Sequence, residues 1–222
     1  MAIPKALEPT GIVLVDKPAG RSSFAIVARV RGRTGAKTGH AGTLDPFATG
    51  LLVLLSGRAT SLQDRFMKLD KRYLTEIDLR ARTTTGDPEG ELLDEHEPPS
   101  HEMLETALDG LRGEVELPIP AASAVKISGE RAYRLHRRGA VVEMPVRRMR
   151  VHELELVSYE DGIARLELLV GSGTYVRSIA DALGGHCVTL RRTEVGPFRV
   201  EDADELRVLP LEEALPRLAA AR

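Results

Sequence analysis

The chain has 222 residues, 42% of them hydrophobic, and its 31 Lys and Arg against 33 Asp and Glu leave a formal net charge of −2. That length can bury a substantial core, and with no apolar run reaching about 18 residues, no segment is expected to span a membrane. The single cysteine, Cys187, excludes an internal disulfide and any multi-cysteine zinc site, and the six histidines show no metal-ligand spacing. The opening MAIPKALEPTG lacks the apolar stretch of a secretory signal, so a soluble cytoplasmic protein without a structural metal is expected.

Gly11 to Val15 reads as a short buried strand. Ser22-Ser23 can cap a helix running to about Arg33, with Ile26, Val27 and Val30 on one face. The segment KTGHAGTLDPFATGLLVLL, Lys37 to Leu55, is the most informative in the chain. Gly39, Gly42 and Gly50 permit backbone angles that other residues resist, Asp45-Pro46 is a turn-initiating pair, and Leu51 to Leu55 reads as a buried strand. Asp45 therefore sits on a tight loop braced by a rigid element, where a protein places a carboxylate it has to aim. Residue chemistry alone leaves the plainer alternatives open. An Asp before Pro also serves ordinary turns, and a lone loop histidine such as His40 also serves packing.

Further along, Leu62, Phe66 and Leu69 recur at helical spacing, and Lys71 to Arg80 alternates as a strand, with Tyr73, Thr75, Ile77 and Leu79 on one side. Pro98-Pro99-Ser100 opens a helix through Met103, Leu104, Ala107, Leu108 and Leu111 that stops near Gly113. Val151 to Val157 and Ile163 to Val170 read as paired strands joined by a turn at Glu160-Asp161-Gly162. Tyr175 to Leu183 is a helix stopped by Gly184-Gly185, Cys187 to Thr193 a strand, and Leu211 to Ala220 a last helix. Strands without regular helix alternation predict an α+β fold with a central mixed, largely antiparallel sheet.

Charge is segregated along the chain. From Lys17 to Leu44 there is no acid but six bases, Lys17, Arg21, Arg29, Arg31, Arg33 and Lys37. From Val125 to His152 eight bases (Lys126, Arg131, Arg134, Arg137, Arg138, Arg147, Arg148 and Arg150) face only Glu130 and Glu143, whereas Gly86 to Glu116 holds eleven acids and only Arg112. Either basic run alone suits a solvated face. Two runs flanking one candidate site suit a polyanion, and Arg suits bidentate phosphate contact.

His40-Ala41-Gly42-Thr43-Leu44-Asp45-Pro46-Phe47-Ala48-Thr49-Gly50-Leu51-Leu52 resembles the catalytic segment of the TruB family, tRNA pseudouridine synthases acting on the uridine at tRNA position 55. RluA-type synthases have Arg-Leu-Asp where this chain has Thr-Leu-Asp. Gly11-Ile-Val-Leu-Val-Asp-Lys-Pro18, Asp70-Lys-Arg-Tyr73 and Gly173-Thr-Tyr-Val-Arg177 match further motifs in order, so the resemblance runs from about Gly11 to about Phe198.

The resemblance implies a pseudouridine-synthase fold, base flipping, an aspartate nucleophile and no cofactor. Asp45 matches the nucleophile, with attack at ribose C1′ or uracil C6, or a glycal route, all open. Arg177 matches the arginine that pairs with that aspartate; read alone, it also suits phosphate contact. Tyr73 matches the tyrosine that stacks on the target uracil, though on residues alone a core tyrosine of its strand is the default. His40 matches the histidine that fills the space left by the flipped base, and Lys17 lies in the first motif as a support of the site. Tyr175 and Leu190 match pocket-lining positions. Pro120 to Arg150, with Lys126, Arg131 and Tyr133, is the candidate thumb that closes on the RNA loop.

One catalytic domain over 1–222 is expected, without the C-terminal PUA domain of typical members. Expected also are the tRNA T-arm as partner, no membrane, no obligate protein partner, and a monomer. The alternative is a tRNA-binding folding chaperone without essential catalysis. A glycosidase-like hydrolase is disfavoured, since no second carboxylate accompanies Asp45 in the matched motifs.

Overall fold

A computed structural model describes residues 10–220 apart from 128 and 141; the side chains of residues 137 and 220, like the opening nine residues, lie outside the description. In chain order the first elements are β1 (Gly11–Lys17), α1 (Ser23–Thr34), β2 (Thr38–His40), β3 (Thr49–Ser56), a 3-10 turn (Gly57–Leu62), α2 (Gln63–Met67), β4 (Lys71–Asp78), β5 (Ala81–Thr83), β6 (Leu92–Glu95) and α3 (His101–Gly110). There follow β7 (Gly113–Pro118), β8 (Lys126–Ile127), β9 (Glu130–Arg131), α4 (Ala132–Arg137), β10 (Val146–Glu160), β11 (Ile163–Val170), α5 (Val176–Ala182), β12 (His186–Val195), β13 (Phe198–Arg199), a 3-10 turn (Val200–Asp202), β14 (Asp204–Leu209) and α6 (Leu211–Ala220). The described residues fall into two compact units, one of residues 10–73 and 190–220 and one of residues 74–189.

In the first unit the strand order is β14-β1-β3-β12, with β2 also on β3 and β13 on β12. β12 runs parallel to β3, Arg192 opposite Gly50, while β1–β3, β1–β14, β2–β3 and β12–β13 are antiparallel. The unit is therefore mixed, as expected for an α+β protein. Its core joins Leu51, Val53 and Leu55 of β3 to Ile12, Phe66, Phe198 and Leu218, with the Phe66 and Phe198 rings stacked at 5.9 Å. α1 begins where its capping serine predicts, since the Ser22 hydroxyl accepts from the Ala25 N–H at 3.1 Å. It ends at Gly35, φ 65°, and buries Ile26, Val27 and Val30. The helix expected through Leu62, Phe66 and Leu69 is a correction: a 3-10 turn fills Gly57–Leu62 and the α-helix is only Gln63–Met67, leaving Leu69 beyond it.

In the second unit the order is β4-β11-β10-β7. β10 and β11 pair antiparallel across the expected turn, where Asp161 and Gly162 adopt φ 50° and 76°. α3, capped by Ser100, buries Leu104 and Leu108. Two boundaries are corrected. The basic insertion ends before Val146, because 146–150 form the start of β10, so Arg147, Arg148 and Arg150 are strand residues. The acidic run also does not stay apart from the bases. Its last part is β7, which pairs with β10 so that Glu116 lies opposite Arg148 and Glu114 opposite Arg150, with Arg150 Nη1 3.2 Å from Glu114 Oε1. The segregation of charge along the sequence is therefore not kept in space for those residues. Among the described residues no helix is long and apolar enough to cross a membrane.

Candidate active site

The loop from Ala41 to Ala48 is short, and side chains from distant segments fix its main chain. Ser23, itself buried, donates its hydroxyl to Leu44 O at 2.7 Å and accepts the Leu44 N–H at 2.9 Å. Lys17 has no exposed surface; its ammonium donates to Pro46 O at 3.1 Å, Arg21 O at 2.7 Å and Pro18 O at 3.0 Å. Gly20 N–H adds a bond to Pro46 O at 2.8 Å. Arg192, 1% exposed, donates to Leu51 O at 2.7 Å and Gly42 O at 3.1 Å, tying the start of the loop to the strand that follows it. Asp45, half-buried, thus stands between two residues whose backbones are pinned. The main chain that carries this carboxylate is thus fixed on both sides of it.

Two glycines make the Arg192 bridge possible. Gly50 takes φ 100°, and a Cβ there would meet Arg192 O at 2.2 Å, so only glycine lets β3 approach β12 at this point. Gly42 takes φ 105° with the Arg192 guanidinium 3.6 Å from where its Cβ would be.

Lys17, expected as a support of the site, is wholly buried and donates to three main-chain carbonyls around the loop. Ser23 and Arg192 were missed, since nothing in their local sequence marks them. Replacing Ser23 by Ala should strand the buried Leu44 N–H and C=O. We expect Ser23→Ala to cost about 2 kcal/mol in denaturant unfolding and to lower kcat about ten-fold more than it raises KM; an unchanged kcat would show that the loop holds without it.

His40 closes β2, with its carbonyl accepting from Gln63 Nε2 at 2.9 Å. Burial first, and the Arg192 charge second, push its imidazole below the ordinary histidine value. Its buried Nδ1 has no hydrogen-bond partner among the described residues. A neutral ring is suited to filling space among bases and unsuited to proton donation at neutral pH. Tyr73 lies on the buried side of β4, and Leu190 is buried on β12.

Lys71 shares this buried cationic environment. Its ammonium donates to Met67 O at 2.6 Å and to Leu69 O. Burial, then Arg192, pushes it down to about 8, with Asp70 opposing. Below about pH 8 the folded state carries the full penalty of that buried charge. Between there and about pH 10.4 the unfolded chain binds more protons than the folded one, so stability rises with pH. Denaturant unfolding should gain roughly 2 kcal/mol from about pH 8 to about pH 10, and Lys71→Met should remove that gain; equal slopes in the two proteins would disprove it.

Arg177 sits in α5 of the second unit and is 3% exposed. It forms an ion pair with Asp87, 3.2 Å from Nη1 to Oδ2, and donates to Thr85 O at 2.8 Å and Ala122 O at 3.0 Å. Asp87, 4% exposed, also accepts from the Thr85 hydroxyl at 2.6 Å and the Glu89 N–H at 3.0 Å. Sequence reading counted Asp87 within the acidic run. Its signal was available, because Thr85-Gly86-Asp87-Pro88 repeats the glycine and Asp-Pro chemistry of the Asp45 loop. Tyr175 is the half-buried N-cap of α5.

In the insertion, Lys126 and Arg131 are exposed and lie opposite each other on the β8–β9 hairpin. Arg134 lies over the half-buried Tyr133 ring, 6.0 Å from its centroid, and Arg138 pairs with Glu130 at 2.7 Å. The predicted site residues thus divide, with Lys17, His40, Asp45, Tyr73 and Leu190 in the first unit and Lys126, Arg131, Tyr133, Tyr175 and Arg177 in the second. Among the described residues no three His, Cys, Asp or Glu side chains group as a metal-binding set.

A family model described as TruB family pseudouridylate synthase (N terminal domain) matches residues 30–176, which include the Asp45 loop. The chain belongs to the TruB family. Among TruB relatives, tRNA pseudouridine synthase B of Thermobifida fusca is 43% identical over 92% of this chain and 78% of its own length. The protein of the same name from Pseudomonas aeruginosa is 41% identical over 90% of this chain and 68% of its own. A crystal structure of a Cbf5–Nop10–Gar1 complex aligns at TM-score 0.66 and 25% identity, over 86% of this chain and 50% of that one. A structure of an H/ACA RNP bound to a substrate RNA containing 2'-deoxyuridine, at TM-score 0.69 and 19% identity, covers 98% of this chain and 68% of that one. At that identity the second likeness speaks for the pseudouridine-synthase fold alone.

Proposed function

We propose that this chain isomerises the T-loop uridine at tRNA position 55 to pseudouridine, acting as a cytoplasmic monomer on the T-arm without a cofactor. The observation that carries the reading is the Asp45 loop, in which both neighbours of one carboxylate are held by buried side chains on their main-chain atoms. The uridine is flipped from the RNA at a cost of a few kcal/mol. Asp45 attacks it, the glycosidic bond from N1 breaks, the base turns, C5 bonds to ribose C1′ as the bond to Asp45 breaks, and the proton lost from C5 is balanced by one taken up at N1. Tyr73 is the stacking platform for the uracil, and His40 fills the vacated space as a neutral ring. Arg177, oriented by Asp87, is the cation that serves the reacting carboxylate. Tyr175 and Leu190 line the pocket, and Lys126, Arg131 and Tyr133 engage the RNA from the insertion.

The test is tritium release from a tRNA transcript labelled at uridine C5, followed by mapping of the modified position. Release confined to the T-loop uridine supports the reading. Release elsewhere would change the target, and tight tRNA binding without release would favour the folding chaperone.

A further inference from the structure

Phe24 is the most exposed large hydrophobic side chain among the described residues, at 71%. It lies in the first turn of α1, and the other faces of that helix are accounted for. Ile26, Val27 and Val30 are buried, while Arg29 and Arg33 both pair with Glu205, the latter at 2.9 Å. What remains is a stripe of Phe24, Ala28 and Arg31 at three- and four-residue spacing, with Arg21 just before the N-cap Ser22. Arg21 and Arg31 are exposed and form no ion pair among the described residues. An aromatic ring between two available guanidinium groups combines a stacking surface with phosphate contacts.

The position of this stripe is what gives it meaning. Lys17 Nζ bonds both Arg21 O and Pro46 O, Gly20 N–H bonds Pro46 O, and Ser23 holds Leu44. Phe24 follows Ser23 directly, so its main chain is anchored to the segment that carries Asp45. A base resting on Phe24 would thus lie on an element joined directly to the Asp45 loop.

We propose that Phe24 is a stacking platform for an unpaired RNA base near the target nucleotide, with Arg21 and Arg31 contacting the adjoining phosphates. This rests on the RNA-modifying reading above. A protein partner fits less well, since a single ring flanked by cations offers little of the apolar area that a stable protein interface buries.

The chain contains no tryptophan, so Phe24→Trp introduces a single indole emitter. Its emission should be quenched when T-arm stem-loop RNA is added. Phe24→Ala should raise Kd for the same RNA by about ten-fold, and Phe24→Trp should restore it, since stacking tolerates a larger ring. Abasic substitutions walked along the loop should include one position that weakens wild-type binding but leaves Phe24→Ala binding as it was. Unquenched indole together with a Phe24→Ala Kd within about two-fold of wild type would overturn the proposal. So would an emission shift that depends on protein concentration without RNA, which would make the face a contact between copies of this chain. The function reading fails separately: quenching with no tritium release from wild type would leave the platform standing and remove the reaction.

Discussion

Asp45→Asn is expected to abolish tritium release, by at least roughly a thousand-fold, while T-arm RNA binds within about two-fold of wild type. Asparagine keeps the shape of the side chain and removes the negative charge that makes the carboxylate a nucleophile. The loop should not move, because its bonds run from Lys17, Ser23 and Arg192 to the main chain of Pro46, Leu44, Gly42 and Leu51. The unfolding midpoint should therefore stay close to that of wild type. This combination separates chemistry from folding and from binding. Release near the wild-type rate would remove Asp45 from the nucleophile role, and a lost midpoint would instead give its carboxylate a structural duty.

The second large effect concerns a residue outside every matched motif. Asp87→Ala takes from Arg177 the carboxylate it holds within its own unit, in a place where both side chains are almost wholly buried. Removing one partner of a buried pair typically costs about 3–5 kcal/mol, far more than removing both. Asp87 also accepts from Thr85 and Glu89 within the turn, so the β5–β6 hairpin should loosen with it. We expect Asp87→Ala to lower both the unfolding free energy and kcat, and Asp87→Asn to recover part of the hairpin bonding without the charge. Adding Arg177→Met to Asp87→Ala should return some stability and no turnover. If the double variant is as unstable as the sum of the two single ones, the pair does not act as a unit.

Local rules made much of the fold legible. The Ser22 cap, the strict alternation of β4 and the Asp161-Gly162 turn each depend on neighbours a few residues away, and the structure has all three. β6 escaped notice because Leu92 and Leu93 sit in an acidic stretch, both exposed, with no period to read. β7 escaped because its glutamates were counted as a charge run, although their true neighbours are arginines of β10.

The site divides in the same way. The glycines and the Asp-Pro step announce the Asp45 loop, but its supports come from far along the chain. Ser23 lies 21 positions from Leu44, Lys17 lies 29 from Pro46, and Arg192 lies 141 from Leu51. Such contacts are products of the folded topology, and no local pattern encodes them. Charge counts misled for the same reason, since Glu205 neutralises two arginines of the first basic run from the other end of the chain.

The bonds by which Lys17, Ser23 and Arg192 hold Pro46, Leu44, Gly42 and Leu51 all run to main-chain atoms. The grip is therefore indifferent to which side chains Leu44 and Pro46 carry, provided the chain can follow the same path. Mutational drift can change those flanking side chains while the path itself, set by the two glycines, stays as it is.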